Sequence, residues 1–290
     1  MDILRSLIFV PGNRADMLGK ARQFDADVIV ADLEDSVPND EKDNARQMVS
    51  EMGPALCQRG QKLVVRVNSL DTGLTRQEIE SVAGDHLYGV SIGKAESPID
   101  INECHKLASA AEKRLGLAPG HIKFIPWIEN ARAIMGALDI ATASPRIVAI
   151  AFGAEDYTDD MGVERTEVGD EVHFARCMVG VAARAARIAA LDGPFVAFRD
   201  PEGLRADCQT GLKLGFKGKF AIHPAQLDII NETFTPGAEE ITYAKRVVEA
   251  WLEAEEAGRG STSLDGKMID VPVVKRAQNL LALAERLSKK

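Results

Sequence analysis

The sequence predicts an α/β fold: a (β/α)8 TIM barrel with a C-terminal helical extension. Eight short apolar runs rich in Val, Ile and Phe recur along the chain, and a helical pattern follows each run. The runs are almost continuously apolar, which is typical of parallel strands covered on both faces. Eight strand–helix units in 290 residues favour a closed barrel over its competitor, an open doubly wound sheet.

The predicted strands and helices alternate regularly. The strands are SLIFVP (6–11), VIVADL (28–33), LVVRV (63–67), YGVSIG (88–93), IKFIPW (122–127), IVAIAF (147–152), IAALDG (188–193) and KFAIHP (219–224). The helices have apolar residues at spacings of three and four and span 15–24, 40–56, 76–83, 100–114, 130–142, 170–190, 202–214 and 225–233.

The barrel pattern ends at Pro236, which predicts a barrel over 1–235 and an extension over 236–290. A charged helix over 239–256 leads into EAGRGSTSLDGK, whose glycines predict a flexible linker. A last helix then shows an apolar face. Because a barrel needs no such helix, the extension is a candidate lid or subunit contact.

Composition excludes several classes of function. The net charge is −9 and the basic residues are spread along the chain, so we expect no nucleic-acid partner. The four cysteines form no CxxC pair, which argues against a zinc site or a disulfide framework and fits a reducing cytoplasm. The opening MDILRSLIFVPGN is too short an apolar stretch for a signal peptide or a membrane span, so we expect a cytoplasmic protein without a membrane partner.

Barrel active sites lie at the C-terminal ends of the strands, which directs attention to the charged residues there. A single acid after a strand is usually the N-cap of the next helix, and this is the expectation for Glu96 and Asp192. The charged and polar residues at the strand ends are Asp32, Glu34, Asp35, Arg66, Asn68, Lys94, Glu96, Glu129, Glu155, Asp156, Asp192 and His223.

Glu129 and Asp156 end neighbouring strands, so their carboxylates can converge. Two buried like charges are unfavourable unless a cation neutralises them, and carboxylates with open water positions suit Mg2+. A solvated acidic rim explains the same pattern equally well. Arg66, inside an apolar run, is either a clamp for a carboxylate or phosphate or an ion-pair partner of Glu34 or Asp35. Lys94 could lie at the solvated rim.

Two further features have ordinary interpretations beside functional ones. Arg14, Lys20 and Arg22 follow the first strand and could surround a phosphate at a helix start, although basic residues on an exposed helix are commonly just solvated. Asp270 precedes Val271 and Pro272, and its local chemistry is that of an N-cap.

At these residues the chain resembles the citrate lyase β-subunit-like branch of the HpcH/HpaI aldolases, which includes malyl-CoA, citramalyl-CoA and citryl-CoA lyases. The resemblance covers nearly the whole chain. It rests on RSLIFVPGNRADMLGKA, ADLEDSV, VVRVNS, KAES, WIEN, FGAEDYTDDMG, FKGKFAIHPAQL and LDGKMIDVP.

The resemblance implies a role for each site residue. It implies Mg2+ bound by Glu129 and Asp156, with Glu34 and Asp35 behind the waters of the metal, and Arg66 as a catalytic clamp that shares the substrate with Glu129. It also implies that Asp270 is a catalytic acid/base delivered to a neighbouring subunit, which overrides the N-cap interpretation. The protein is then a homo-oligomer, a trimer or a hexamer. Arg14, Lys20 and Lys94 are assigned to the coenzyme A part of the substrate.

The implied activity is Mg2+-dependent cleavage or formation of a 3-hydroxy-3-carboxyalkanoyl thioester, with a 2-oxo acid and acetyl-CoA as the other side of the reaction. Two alternatives use the same barrel: a citrate lyase β subunit acting on an acyl carrier protein thioester, and a malyl-CoA thioesterase. A non-catalytic binder of 2-oxo acids is disfavoured, because it would not need all four of Glu129, Asp156, Arg66 and Asp270. The segments SIGKAES and GAEDYTDD depart from the family pattern and leave the substrate open.

Overall fold

The structure, a computed structural model, describes residues 2–57, 59–166 and 168–289 and confirms the predicted barrel. Eight parallel strands pair in chain order, and the last strand pairs with the first through Leu7 opposite Phe220. The strands are β1 (Ser6–Pro11), β2 (Val28–Asp32), β3 (Lys62–Val67), β4 (Leu87–Ile92), β5 (Lys123–Ile128), β6 (Ala149–Phe152), β7 (Ala189–Asp192) and β8 (Gly218–Ala221).

Helices follow the strands, and several differ from the expected bounds, the first of them ending at Ala21 rather than at residue 24. The helix predicted over 130–142 is divided at Gly136, a helix is added after β6, and the helix predicted to reach 190 ends at Ala186 because Arg187 is left-handed with φ 60°. The helices are α1 (Ala15–Ala21), α2 (Lys42–Leu56), α3 (Thr75–Val82), α4 (Pro98–Leu115), α5 (Ala131–Met135), α6 (Ala137–Thr142), α7 (Ala154–Met161), α8 (Asp170–Ala186), α9 (Pro201–Leu214) and α10 (Leu227–Thr233). Short 3-10 turns span Asn39–Glu41, Leu70–Thr72 and Pro224–Gln226.

The barrel interior is filled by every second residue of the strands, since successive strand side chains point to opposite faces. Three aromatic rings meet there: the Phe220 ring lies 4.5 Å from that of Trp127 and 5.1 Å from that of Phe9, centroid to centroid. The Trp127 indole N–H donates to the Ser91 hydroxyl at 2.6 Å, so its polar atom is satisfied. The buried interior cluster is Leu4, Leu7, Val28, Val30, Val64, Ile125, Trp127, Ala149, Ala151, Ala189, Leu191 and Phe220.

The N-cap expectations for Asp192 and Glu96 are wrong. Asp192 accepts from Arg176 of α8 at 2.6 Å and from Lys219 of β8 at 2.8 Å, in a buried ion-pair cluster that joins sheet and helices. A buried lysine needs such a charged partner, and this need takes precedence over capping. Helix α4 is capped instead by Ser97, one residue after Glu96.

By its internal contacts the chain forms two compact units, one up to Asn231 and one from Glu232. The second unit contains α11 (Ala238–Glu256), β9 (Thr262–Leu264), β10 (Lys267–Ile269) and α12 (Val271–Ser288). The predicted boundary at 235 and the predicted packing on a neighbouring subunit remain predictions. The apolar faces of α11 and α12 form their own cluster around the buried residues Ala244, Val247, Ile269, Val274 and Ala277.

The flexible linker predicted for EAGRGSTSLDGK is wrong in its second half, which forms a β-hairpin. Strands β9 and β10 pair antiparallel with Leu264 opposite Lys267. The two residues between them, Asp265 and Gly266, have φ of 51° and 74°. Positive φ at both positions is the hairpin turn that an Asp-Gly pair favours.

None of the described helices combines the length and the apolar character that crossing a membrane demands.

Replacing Phe220 by alanine should reduce the free energy of unfolding by about 3–5 kcal/mol, because the ring is fully buried among other aromatic rings. Phe174→Ala is the matched control: that ring is 63% exposed, so its loss should change stability by less than about 0.5 kcal/mol. Urea denaturation followed by circular dichroism measures both. Equal losses would show that the interior stack does not stabilise the barrel.

Candidate active site

Three charged side chains at the barrel mouth continue the interior rows of their strands. Asp32 follows Val28 and Val30 at intervals of two, Arg66 follows Val64, and Glu129 follows Ile125 and Trp127. Period-two alternation therefore turns all three inward at the C-terminal ends of β2, β3 and β5.

Arg66 is held by three carboxylates. Its Nε and Nη2 donate to the two oxygens of Asp32 at 2.7 and 2.6 Å, and its Nη1 lies 2.9 Å from Asp35 and 3.0 Å from Glu34. The guanidinium carbon also lies 4.5 Å above the centre of the Phe9 ring. The ion-pair interpretation of Arg66 is thus realised in this structure, with Asp32 as an additional and more buried partner.

Lys94 connects this group to Glu129. Its Nζ lies 3.2 Å from Glu34, and its backbone N–H donates to the Glu129 Oε1 at 2.5 Å. The residue has φ 53°, in the left-handed region that non-glycine residues rarely adopt. Strained backbone of this kind is concentrated at functional sites, where surrounding contacts hold it.

A cavity of about 550 Å3 opens beside Glu129. Its lining combines Glu129, Asp156 and Lys94 with the rims of the loops after β3, β4, β5 and β6. Asp156 reaches it from the first turn of α7. The remaining lining residues are Ser69, Leu70, Asp71, Ile92, Gly93, Ala95, Glu96, Ser97, Asp100, Asn130, Arg132, Asp159 and Asp160.

Gly153 makes the position of Glu129 sterically possible. A Cβ at residue 153 would lie 2.6 Å from both the Cβ and the Oε2 of Glu129. Such a distance is far inside van der Waals contact, so any side chain at 153 would displace the carboxylate. The Phe152-Gly153-Ala154 step from β6 into α7 thus serves both acids: it leaves room for Glu129 and begins the helix that carries Asp156.

The site has an excess of negative charge. Burial raises the pKa of Glu129 to about 8, and the charge of Asp156 adds to the shift. Burial likewise raises the pKa of Glu34 to about 7 and that of Asp156 above its ordinary value. With every group ionised, five carboxylates face two cations, a net charge of −3; the groups are Asp32, Glu34, Asp35, Glu129 and Asp156 against Arg66 and Lys94.

This arrangement fits a hard divalent cation. The raised carboxylate pKa values mean that nearby positive charge is too small to stabilise the ionised carboxylates. A bound divalent cation would supply the missing positive charge. Within the described parts of the chain, no group of three or more His, Cys, Asp or Glu residues forms a ready metal site. The protein would therefore contribute Glu129 and Asp156, the two carboxylates of the cavity lining whose pKa values are raised, and leave other positions to water or substrate oxygens, as Mg2+ prefers.

Of the residues predicted for coenzyme A binding, Lys94 alone lines the cavity. Arg14 pairs with Asp16 on the exposed surface of α1 at 3.1 Å, and neither Arg14 nor Lys20 lines the cavity. The Lys94 side chain faces carboxylates, so its coenzyme A role remains a prediction. Asp270 caps α12 in the second unit by accepting the Val273 N–H at 3.2 Å, and its catalytic role also remains a prediction.

Sequence reasoning missed two features of this site. Asp32 was noted at the end of its strand but was given no role, although it has the same phase as Val28 and Val30. The sequence gives no indication that the backbone N–H of Lys94 binds Glu129, because a positive φ at a lysine cannot be predicted from residue type.

Comparison with known proteins confirms the resemblance. The model of the family described as HpcH/HpaI aldolase/citrate lyase matches residues 5–224. The citrate lyase subunit beta of Leuconostoc mesenteroides subsp. cremoris is 39% identical, with 97% of this chain and 93% of that protein covered. The L-malyl-CoA/beta-methylmalyl-CoA lyase of Cereibacter sphaeroides is 34% identical, with 98% and 95% covered.

A solved structure gives the same result in three dimensions. The crystal structure of the protein CitE from Mycobacterium tuberculosis, in complex with magnesium, acetoacetate and coenzyme A, matches with a TM-score of 0.78. It is 29% identical, and 97% of each chain is covered.

The raised pKa of Glu129 predicts a pH dependence of stability. Folded Glu129 keeps its proton up to about pH 8, whereas in the unfolded chain it releases the proton near the ordinary value of 4.5. The folded state therefore binds more protons between these values, and in cation-free protein this group makes stability fall as pH rises from about 4.5 to about 8.

Urea denaturation of wild type and Glu129→Gln across this pH range measures the effect. The wild type should lose more stability with rising pH than the variant, which has no proton to release at this position. A divalent cation such as Mn2+ should restore stability at the higher pH only in the wild type. Identical pH profiles would contradict the buried, uncompensated carboxylate.

Proposed function

The chain belongs to the HpcH/HpaI aldolase/citrate lyase family, and we propose that it is a Mg2+-dependent carbon–carbon lyase. Its substrate would be a 3-hydroxy-3-carboxyalkanoyl thioester such as malyl-, citramalyl- or citryl-CoA, which it splits into a 2-oxo acid and acetyl-CoA or forms from them. The proposal includes a cytoplasmic homo-oligomer, a trimer or a hexamer.

One observation carries the proposal: Glu129 and Asp156 line the same cavity, with burial raising the pKa of both carboxyls. Such a pair suits Mg2+, the metal in the complex of the M. tuberculosis relative. When bound, the metal supplies Lewis-acid stabilisation of the charge that develops on the substrate oxygen, and a template for the substrate.

The residues of the chain then have separate tasks. Arg66 would grip the substrate carboxylate through charge-assisted hydrogen bonds. Its Nη1 faces both Glu34 and Asp35, and the Asp35 side chain, which is 52% exposed, can be displaced by an incoming carboxylate. Lys94 would hold Glu129 through its backbone N–H and offset the charge of Glu34.

Cleavage needs two proton transfers. The 3-hydroxyl group would give its proton to a carboxylate at the barrel mouth as the carbon–carbon bond breaks, and the electron pair of that bond would leave as the enolate of acetyl-CoA beside the 2-oxo acid. Asp270 of a neighbouring subunit would donate a proton to that enolate carbon, and in the condensation direction it would remove a proton from the acetyl methyl group.

A second candidate uses the same chemistry on a different carrier. The 39% identity to the Leuconostoc citrate lyase subunit beta favours a subunit that acts on an acyl carrier protein thioester. Such a subunit would need its partner proteins for turnover, whereas a lyase for free coenzyme A thioesters would not.

The purified chain should release a 2-oxo acid from a coenzyme A thioester in a Mg2+-dependent reaction. Malyl-, citramalyl- and citryl-CoA are incubated separately with Mg2+ or with EDTA, and glyoxylate, pyruvate and oxaloacetate are measured. If none of the three thioesters gives a 2-oxo acid, the result favours the subunit that acts on an acyl carrier protein thioester. Release of free malate without glyoxylate identifies a thioesterase.

Glu129→Gln should lower kcat/KM by roughly 100-fold or more, because metal stabilisation of transition-state charge contributes several kcal/mol. Glu103→Gln, an exposed acid of α4 that pairs with Lys106, is the control and should leave kcat/KM unchanged. If the two variants had equal kcat/KM, Glu129 would not be a ligand of the catalytic metal.

Asp270→Asn should reduce kcat by roughly 10²–10⁴-fold with little change in stability or oligomeric state. Asparagine caps a helix as well as aspartate does, so the substitution removes the carboxylate and keeps the cap. Asp200→Asn is the matched control: Asp200 caps α9 through the Gly203 N–H in the same manner. Unchanged turnover in Asp270→Asn would end the shared-site part of the proposal.

A further inference from the structure

The strongest unassigned group at the barrel mouth is the carboxylate of Asp32. Its side chain is fully buried, and its two oxygens accept four hydrogen bonds. Two come from Arg66, and two come from the backbone N–H groups of Glu34 and Ser36 at 2.9 and 3.0 Å. One carboxylate therefore fixes both the guanidinium and the loop that carries Glu34 and Asp35.

We infer that Asp32 is the positioning residue of Arg66: it holds the guanidinium so that the opposite edge is presented to the carboxylate of the substrate. Asp32 and Arg66 are direct partners in the β2–β3 register, so the backbone of the barrel itself aligns the two groups. This inference rests on the proposed lyase function, because it assigns the acid that supports the carboxylate clamp of that site.

The exposed fraction of each carboxylate side chain indicates which partners of Arg66 remain when a substrate binds and which one can be displaced. Asp32 is 0% exposed and occupies the Nε–Nη2 edge as a two-pronged fork, the geometry in which arginine binds carboxylates most specifically. Nη1 contacts both Glu34, whose side chain is 8% exposed, and Asp35, whose side chain is 52% exposed. A substrate carboxylate can replace the exposed Asp35 and cannot reach the buried Asp32.

The Phe9 ring restricts the guanidinium in the remaining direction. The Arg66 guanidinium carbon lies 4.5 Å from the ring centre, so one face of the guanidinium is covered. With one edge held by Asp32 and one face covered by Phe9, the direction of Nη1 is set before a ligand arrives. Pre-organisation of this kind strengthens binding because less freedom is lost on association.

A purely structural role is the competing explanation, and the chain offers a matched control for it. Asp27, at the opposite end of β2, forms the same two-pronged fork with Arg5 at 2.8 and 2.9 Å and is equally buried. Asp27→Asn therefore removes a buried Arg–Asp pair that lies just before β2, far from the mouth of the barrel.

The test measures binding of two kinds of ligand in Mg2+ by isothermal titration calorimetry. Glyoxylate, pyruvate and oxaloacetate carry a carboxylate, and acetyl-CoA lacks one on its acyl group. Asp32→Asn should weaken binding of the preferred 2-oxo acid about tenfold or more, since a charge-assisted hydrogen bond contributes about 1.5–3 kcal/mol. Affinity for acetyl-CoA should stay the same, and Asp27→Asn should change neither.

A double-mutant cycle with Arg66→Lys then tests whether Asp32 acts through Arg66. Lysine cannot form the fork, so adding Asp32→Asn to Arg66→Lys should weaken 2-oxo acid binding no further. Additive losses would overturn the inference, because Asp32 would then act independently of Arg66.

Asp32→Glu covers the case in which Asp32→Asn does not fold. It keeps the charge and displaces the fork by one methylene, so it should show the same selective loss of 2-oxo acid binding. Normal binding by a folded Asp32 variant, or an equal loss in Asp27→Asn, overturns the positioning role and leaves the proposed lyase intact. A wild-type protein that binds none of the three 2-oxo acids overturns the lyase proposal and this inference together.

Discussion

The structure at the mouth of this barrel depends on one constraint: several buried carboxylates carry more negative charge than the neighbouring cations balance. Arg66 and Lys94 balance only part of the carboxylate charge, and the rest appears as raised pKa values at Glu129 and Glu34. Each of the unusual local features contributes to this balance. The left-handed Lys94 supplies a backbone donor, and Gly153 leaves room for the carboxylate that accepts it.

Two of these carboxylates, those of Asp32 and Glu129, are brought together because successive side chains of a barrel strand point alternately inward and outward. The same inward rows that pack apolar side chains in the middle of the barrel end in charged groups at its mouth. The aromatic rings of Phe9 and Phe220 lie beneath those groups, and Phe9 contacts the Arg66 guanidinium directly. The same inward-facing strand positions thus hold the apolar core and the charged groups of the site. Along β2, β3 and β5 the last apolar core residue and the first charged residue are two positions apart.

Sequence reasoning found the parts of this protein that depend on local pattern. Continuous apolar runs located all eight barrel strands, and charge at their ends located Glu129, Asp156 and Arg66. The family resemblance added what no local pattern could: the lyase chemistry and the candidate role of Asp270.

Features that depend on tertiary partners or on backbone angles were not found from pattern. Asp192 is an acid after a strand, yet its role is decided by Lys219 and Arg176, which are distant in sequence. The hairpin at Asp265-Gly266 had a readable turn signal, but the surrounding glycines and serines concealed it.

The direct pairing of Asp32 with Arg66 across β2 and β3 also limits how such a chain can change in length. Inserting or deleting one residue within β2 would turn Asp32 toward the helices and bring an apolar neighbour into the mouth, because strand side chains alternate. The interior packing and the guanidinium support would then be lost in a single step. A change in length that keeps this pair intact must therefore fall in the loops beyond the strand ends, where the cavity is shaped.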